Sequence, residues 1–197
     1  MPPKIIFVGG AQATGKSSTL EKLIRRLERK VPGQVEYIEA GTVLRKAAQD
    51  TFGKHVNALT MDELEQIRAK FYRDIKGSNA RVVLLVDHYA YAPVTEDEHI
   101  ELPRASKELT KNLLPHIAHF VLFEASPEEV HRRRATEEKQ RAMEYLHVKR
   151  GLLSQRLVAR LFAEETNKPL EIVRNEAGKQ RNAMRHIETI VRRHLER

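Results

Sequence analysis

The chain has 197 residues, 41% hydrophobic and 31% charged, with 35 Lys and Arg against 27 Asp and Glu for a net charge of +8. That length suits one substantial core, no apolar stretch approaches the roughly 20 residues that span a bilayer, and the lack of cysteine excludes disulfides, thiolate metal sites and cysteine nucleophiles. The basic balance favours polyanionic partners, phosphorylated small molecules as well as nucleic acid, and with no signal-peptide pattern the expected location is cytoplasmic, away from membranes.

The apolar run Ile5-Ile6-Phe7-Val8 predicts a buried strand over residues 4–8. It leads into Gly10-Ala11-Gln12-Ala13-Thr14-Gly15-Lys16-Ser17, which fits G-x-x-x-x-G-K-[ST], the phosphate-cradling P-loop. Leu20, Leu23, Ile24 and Leu27 then recur at helical spacing over 16–30. In a strand–loop–helix unit, backbone N–H groups and the positive end of the helix dipole converge on an anion. Lys16 would add charge at the outer phosphates and Ser17 a hydroxyl ligand for magnesium, so ATP and Mg²⁺ are the expected cofactors.

Pro32-Gly33 marks a turn before a second strand at 35–39. Residues 43–52 read as a helix with Val43, Leu44, Ala47 and Ala48 on one face. Thr60-Met61-Asp62-Glu63 is a capping box opening a helix to about Lys76, which Gly77-Ser78-Asn79 ends. The continuous apolar strand 82–86 implies burial on both faces, as in the middle of a parallel sheet. Residues 88–104, with Pro93, Pro103 and the acidic cluster Glu96-Asp97-Glu98, read as an exposed loop, followed by a short helix at 109–114 and a strand at 120–123. Ser126-Pro127-Glu128-Glu129 is a second capping box, with proline at the first helical position. Beyond it the chain is highly charged to about Arg150, then helical to Thr166, with a fifth strand at 170–173 and a final amphipathic helix at 179–195. Alternating strands and helices predict a three-layer α/β/α P-loop NTPase fold around a central five-stranded parallel sheet, as a single domain over 1–197.

Two further constellations carry chemistry. Asp87 ends the strand 82–86, and ligands in open α/β sheets bind beyond the carboxyl ends of strands. It can therefore hold Mg²⁺ with Ser17 or simply cap the next turn; His88 beside it is either a substrate contact or a loop histidine. Arg132-Arg133-Arg134, with Arg141 further on, supplies the guanidinium groups that stabilise a moving phosphoryl group. The intervening Glu137-Glu138-Lys139-Gln140, polar on every side, reads as a lid or as an exposed ion-paired helix.

The segment Tyr37-Ile38-Glu39-Ala40-Gly41-Thr42-Val43-Leu44-Arg45-Lys46-Ala47-Ala48 resembles adenylate kinases, the archaeal type in particular, where a strand runs into the nucleoside-monophosphate-binding helix. The strand ending Val86-Asp87, the Leu102-Pro103 loop, Phe120-Val121-Leu122-Phe123-Glu124 with Ser126-Pro127, the arginines at 133 and 134, and Asn175-Glu176-Ala177-Gly178 are similar to that family in the same order. The resemblance implies that Gly10 to Ser18 hold the ATP phosphates and that Asn175 and Gly178 lie near the adenine. It implies Thr42 and Arg45 at the acceptor, Arg45 on its phosphate, and Arg133, Arg134 and Arg141 closing over the transferring group. The acceptor segment would span about 41–77 and the lid about 133–150, and a homo-oligomer is associated with the archaeal type. Departures are Gln12 and Ala13 in place of a proline and second glycine, Asp87-His88 without a spacer, and Gln140 where a lid arginine is expected.

The leading expectation is a kinase moving the γ-phosphate of ATP to a nucleoside monophosphate, AMP first, with Lys16, Asp87, Arg134 and Arg141 as catalytic candidates. A kinase of a hydroxyl-bearing metabolite, with Asp87 as general base, is the second. A P-loop ATPase that binds RNA through its basic surface is the third; it lacks a pattern of stacking aromatics.

Overall fold

A computed structural model describes residues 2–90, 113–136 and 145–196. The expectations for the 88–104 loop beyond residue 90, for the first part of the 109–114 helix, for Glu137–Gln140 and for Arg141 lie outside the described residues.

Five strands form one parallel sheet in the order β2-β3-β1-β4-β5: β1 (Lys4–Gly10), β2 (Val35–Glu39), β3 (Val82–Val86), β4 (Ile117–Glu124) and β5 (Leu170–Arg174). β1 and β3 lie in the middle and are buried along their length because helices cover both sides, which is why they read as continuous apolar runs. One layer holds α1 (Lys16–Lys30) and α6 (Gln180–Glu196), whose Leu20, Leu23, Leu27, Ile187 and Val191 pack on Ile6, Val8, Leu84 and Val121. The other holds α2 (Ala40–Phe52), α3 (Met61–Lys76) and α5 (Tyr145–Thr166), packed on Phe7, Val83, Leu85 and Phe120. The short α4 (Pro127–Ala135) joins α5 through Val130 and Val148. This is the three-layer arrangement expected from the strand–helix alternation. Among the described residues no helix is long and apolar enough to cross a membrane.

Several boundaries differ for physical reasons. α2 starts at Ala40, with no loop after β2, and buries Ala40, Leu44 and Ala48 while Val43 is exposed, so its inner face is turned from the predicted one. The Thr60–Glu63 capping box forms as expected. At Ser126 only half of one forms: its side chain accepts from Glu129 N–H, but the Glu129 carboxylate goes to Arg132 and Arg133. The Ser126 N–H donates instead to Glu176 at 2.8 Å. The end of the expected 109–114 helix is a 3₁₀ turn at Leu114–His116, β4 begins earlier at Ile117, and α5 already includes residues 145–150 of the charged stretch.

At the end of the sheet away from the P-loop, His119 of β4 is buried against His194 of α6, with its Nδ1 3.2 Å from His194 Nε2 and its Nε2 3.3 Å from Glu171. Glu171 also receives His186 and Arg193, each at 2.7 Å. Burial pulls the His119 pKa down to about 4; Glu171 opposes this, and the neighbouring His194, Arg193 and His186 reinforce it. The unfolded chain, with an ordinary histidine near 6.5, therefore takes up its proton first, and stability falls as pH drops from about 6.5 towards 4. The loss from this one group has a ceiling of about 3 kcal/mol. Urea unfolding across that pH window should show the slope in the native protein and a flatter limb in His119→Gln.

Candidate functional site

The P-loop leaves β1 at Gly10, whose φ of +142° suits glycine alone and where a Cβ would stand 2.4 Å from the Phe123 carbonyl oxygen. The loop is braced from within by the buried Thr14 hydroxyl, which donates to the Ala11 carbonyl at 2.8 Å. Two left-handed residues then turn the chain, Gly15 at φ +82° and Ala13 at φ +64°. Ala13 stands where the resembled pattern has glycine. Its methyl packs against the small cluster of Ala125, Val130 and Val148, a contact that offsets part of the roughly 1–2 kcal/mol that a left-handed alanine costs. Gly15 caps α1 without a side-chain acceptor, so the N–H groups opening that helix stay available to an anion. Lys16 is buried and folds back, donating to the carbonyls of Gly10 and Ala11 at 2.5 and 3.0 Å.

One flank of the loop is held by α4 and the turn after β5. The buried Asn175 amide donates to the Thr14 carbonyl at 2.8 Å, and its side chain fills the space where a Cβ on Gly15 would sit. Arg133 donates to the Ala13 carbonyl at 3.3 Å and to the Asn175 carbonyl at 2.6 Å, and is aimed by the Glu129 carboxylate at 2.6 Å. The resemblance implied Asn175 near the adenine and Arg133 over the phosphates; here both buttress the backbone of the loop itself.

The other flank contains the residue that reading the sequence missed. Glu39, the last residue of β2, accepts the Ser17 hydroxyl on one carboxylate oxygen and the Thr42 hydroxyl on the other, both at 2.8 Å. Arg45 donates to the same Thr42 hydroxyl at 3.1 Å. A continuous chain thus runs Ser17–Glu39–Thr42–Arg45, from the P-loop to the helix expected to bind the acceptor. Burial alone would raise the Glu39 pKa; the hydrogen bonds from Thr42 and Ser17 and the charges of Arg45 and Lys16 outweigh it and hold it below the ordinary glutamate value. Tyr37 lies beside this pair, and its oxygen, close to the Ser17 hydroxyl, finds no well-aligned partner. Burial first, then the Glu39 charge, pushes Tyr37 up to about 12, so it stays a phenol. The signal that singled out Asp87, an acid at the carboxyl end of a strand, applies equally to Glu39.

Asp87 sits at the same sheet edge. Its N–H donates to the Val8 carbonyl at 3.2 Å, and one carboxylate oxygen accepts the His88 N–H at 2.8 Å, the local turn contact. His88 places Nδ1 2.9 Å from the Gly10 carbonyl oxygen. The Ser18 hydroxyl is directed instead to the seam with α6, between the Gly15 carbonyl and Gln180. Gln12 is exposed, and Gly178, at φ +70°, serves the turn before α6 with nothing within 4 Å of its would-be Cβ. Arg134 is partly buried in the last turn of α4.

The donor set suits a hard cation: Ser17, Glu39 and Asp87 offer oxygens only, and Mg²⁺ in such sites takes one or two protein ligands, the rest being phosphate oxygens and water. Among the described residues no group of three or more His, Asp or Glu is gathered to hold a metal ion by itself. Asn175→Ala should test the buttress: it leaves the buried Thr14 carbonyl short of a donor, costing about 1–3 kcal/mol in unfolding. It should also weaken binding of a fluorescent ATP analogue about tenfold, measured below the unfolding transition.

The sequence matches the family described as an AAA domain over residues 9–150. No curated protein matches it in sequence. Its fold is similar to a shikimate kinase from Bacteroides thetaiotaomicron, at 13% identity and a TM-score of 0.55, covering 96% of this chain and 98% of that one. It is also similar to TT1252 from Thermus thermophilus, at 12% identity and a TM-score of 0.57, covering 98% of each chain. At such identities the likeness is one of fold. With the family spanning most of the chain and the P-loop seated at the carboxyl edge of a parallel sheet, the protein belongs to the AAA-domain family and has the P-loop kinase fold.

Proposed function

We propose that the chain is an ATP-dependent phosphotransferase for a small acceptor bound between the P-loop and the start of α2, a nucleoside monophosphate and AMP in first place. The observation that carries this reading is the chain Ser17–Glu39–Thr42–Arg45, which ties a phosphate-binding loop to an arginine one helical turn into α2. The P-loop N–H groups and Lys16 would hold the outer ATP phosphates, with Lys16 exchanging the Gly10 and Ala11 carbonyls for phosphate oxygens. Mg²⁺, held by Ser17 with Asp87 behind it, would neutralise charge on those phosphates. Arg45 and Thr42 would orient the acceptor, Arg134 and Arg141 would surround the transferring group, and Arg133 would keep the loop braced beneath it. An acceptor phosphate is already anionic at neutral pH, so this reaction needs no base.

A second reading, a hydroxyl-bearing metabolite as acceptor, is favoured by Glu39. An ionised carboxylate beside Ser17 is placed to take the proton that a hydroxyl must lose, a role Asp87 could share.

A panel of nucleoside monophosphates and hydroxy acids with Mg·ATP, followed by phosphorus NMR, separates the two. ADP formed from ATP and AMP supports the first reading, a phosphate ester the second, and inorganic phosphate alone contradicts both. Lys16→Ala should lower kcat by about 10²–10³-fold while the circular dichroism spectrum is unchanged. Arg45→Ala should raise the acceptor KM about tenfold with the ATP KM unmoved. Glu39→Gln should leave kcat within a few-fold if the acceptor is a phosphate. It should lower kcat by about 10²–10⁴-fold if the acceptor is a hydroxyl.

A further inference from the structure

The basic pairs Arg25-Arg26 and Arg192-Arg193 are distant in sequence, and taken singly each reads as a solvated helix face. The fold puts them on one layer. α1 and α6 lie side by side and run in the same direction, since Lys22 meets Gln180 near the start and Lys30 meets Glu188 near the end. α1 carries six Lys and Arg against Glu21 and Glu28, and α6 four against Glu188 and Glu196. With Lys16 set aside in the P-loop, these two helices hold five of the eight net positive charges of the chain.

The distribution is more uneven than the net charge. Glu188 is buried in the seam and shared by Arg26, Lys30 and Arg192, one carboxylate under three cations. Arg181 and Arg185 stand on the exposed crest of α6, and Arg29 on that of α1; among the described residues none of the three has an acidic partner. Arg25 has only the long exposed contact to Glu21 at 3.7 Å. Cations four residues apart are about 6 Å apart along a helix, so the layer offers two parallel rows, about 12 Å long from Lys22 to Lys30 and about 18 Å long from Arg181 to Arg193.

We infer that this α1–α6 layer binds the sugar–phosphate backbone of a nucleic acid, without reading its bases. Two adjoining rows of cations, with one carboxylate in the seam between them, match a polyphosphate strand. None of the exposed large apolar side chains among the described residues lies on α1 or α6. That argues against insertion into a lipid surface, which needs buried apolar area, and against a protein partner, whose interface needs apolar or aromatic anchors. The same two helices carry no Trp, Tyr or Phe to stack on bases, which makes the contact independent of sequence. The layer lies on the side of the sheet opposite α2, so the polymer would not occupy the acceptor region.

The test is fluorescence anisotropy with two labelled 20-nucleotide single-stranded RNAs of unrelated sequence, over a series of salt concentrations. With about four phosphate contacts, log affinity should fall against log salt with a slope near −3, equally for both RNAs. Arg181→Glu/Arg185→Glu should weaken binding at least about tenfold and flatten the slope by about 1.4. Arg25→Gln/Arg29→Gln, a milder change on the neighbouring row, should weaken it in the same direction. Arg73→Glu/Arg160→Glu changes the net charge by the same amount on the opposite layer and should leave binding within two-fold. Equal loss in that control, a flat salt slope, discrimination between the two RNAs, or binding to vesicles of phosphatidylserine and phosphatidylcholine with none to RNA would each overturn the proposal.

Discussion

The left-handed turn at Ala13 and Gly15 is the constraint on which the rest of the site depends. It points the opening N–H groups of α1 into one concavity, and it cannot hold itself, because a left-handed alanine and a glycine are each costly to order. The protein fixes it from both sides. Asn175 and Arg133 bind the loop carbonyls from the side of β5 and α4, and Glu39 holds Ser17 from the side of β2. A loop braced in this way presents donors to a phosphate without reorganising, which is the main source of electrostatic catalysis in phosphoryl transfer.

The strand order explains why these braces come from where they do. With β1 in the sequence β2-β3-β1-β4-β5, the P-loop emerges near the centre of the carboxyl edge, and loops following β2, β3, β4 and β5 can all reach it. Glu39, Asp87, Arg133 and Asn175 each follow or end a different strand. The P-loop is therefore braced from the β4 and β5 side of the sheet by Arg133 and Asn175, and from the β2 and α2 side by Glu39, which continues to Thr42 and Arg45. Lys16 closes the circuit: its ammonium sits on the Gly10 and Ala11 carbonyls and its charge helps keep Glu39 ionised.

What was legible in the sequence was local. The P-loop, the Thr60 capping box, and the apolar runs of β1 and β3 depend on residues within one or two turns of each other, and they form as read. Glu39 was visible as an acid ending a strand, but its link to Ser17 was hidden because Ser17 belongs to another βα unit, with β3 lying between their strands, and strand order is not written in any short motif. The Ser126 box misled for a similar reason. Glu129 had the right spacing, but Arg133 and Arg132 compete for its carboxylate while Glu176, from the far end of the chain, takes the Ser126 N–H. The basic pairs on α1 and α6 gained meaning only when the fold aligned the two helices.

The most direct measurement is a crystal structure with Mg²⁺ and a non-hydrolysable ATP analogue. The β- and γ-phosphates should lie within hydrogen-bonding distance of the N–H groups of Gly15, Lys16 and Ser17, with Lys16 Nζ moved from the Gly10 and Ala11 carbonyls to phosphate oxygens. Asn175 should still be on Thr14. A nucleotide bound elsewhere, or Lys16 still on those carbonyls beneath bound phosphates, would contradict this reading.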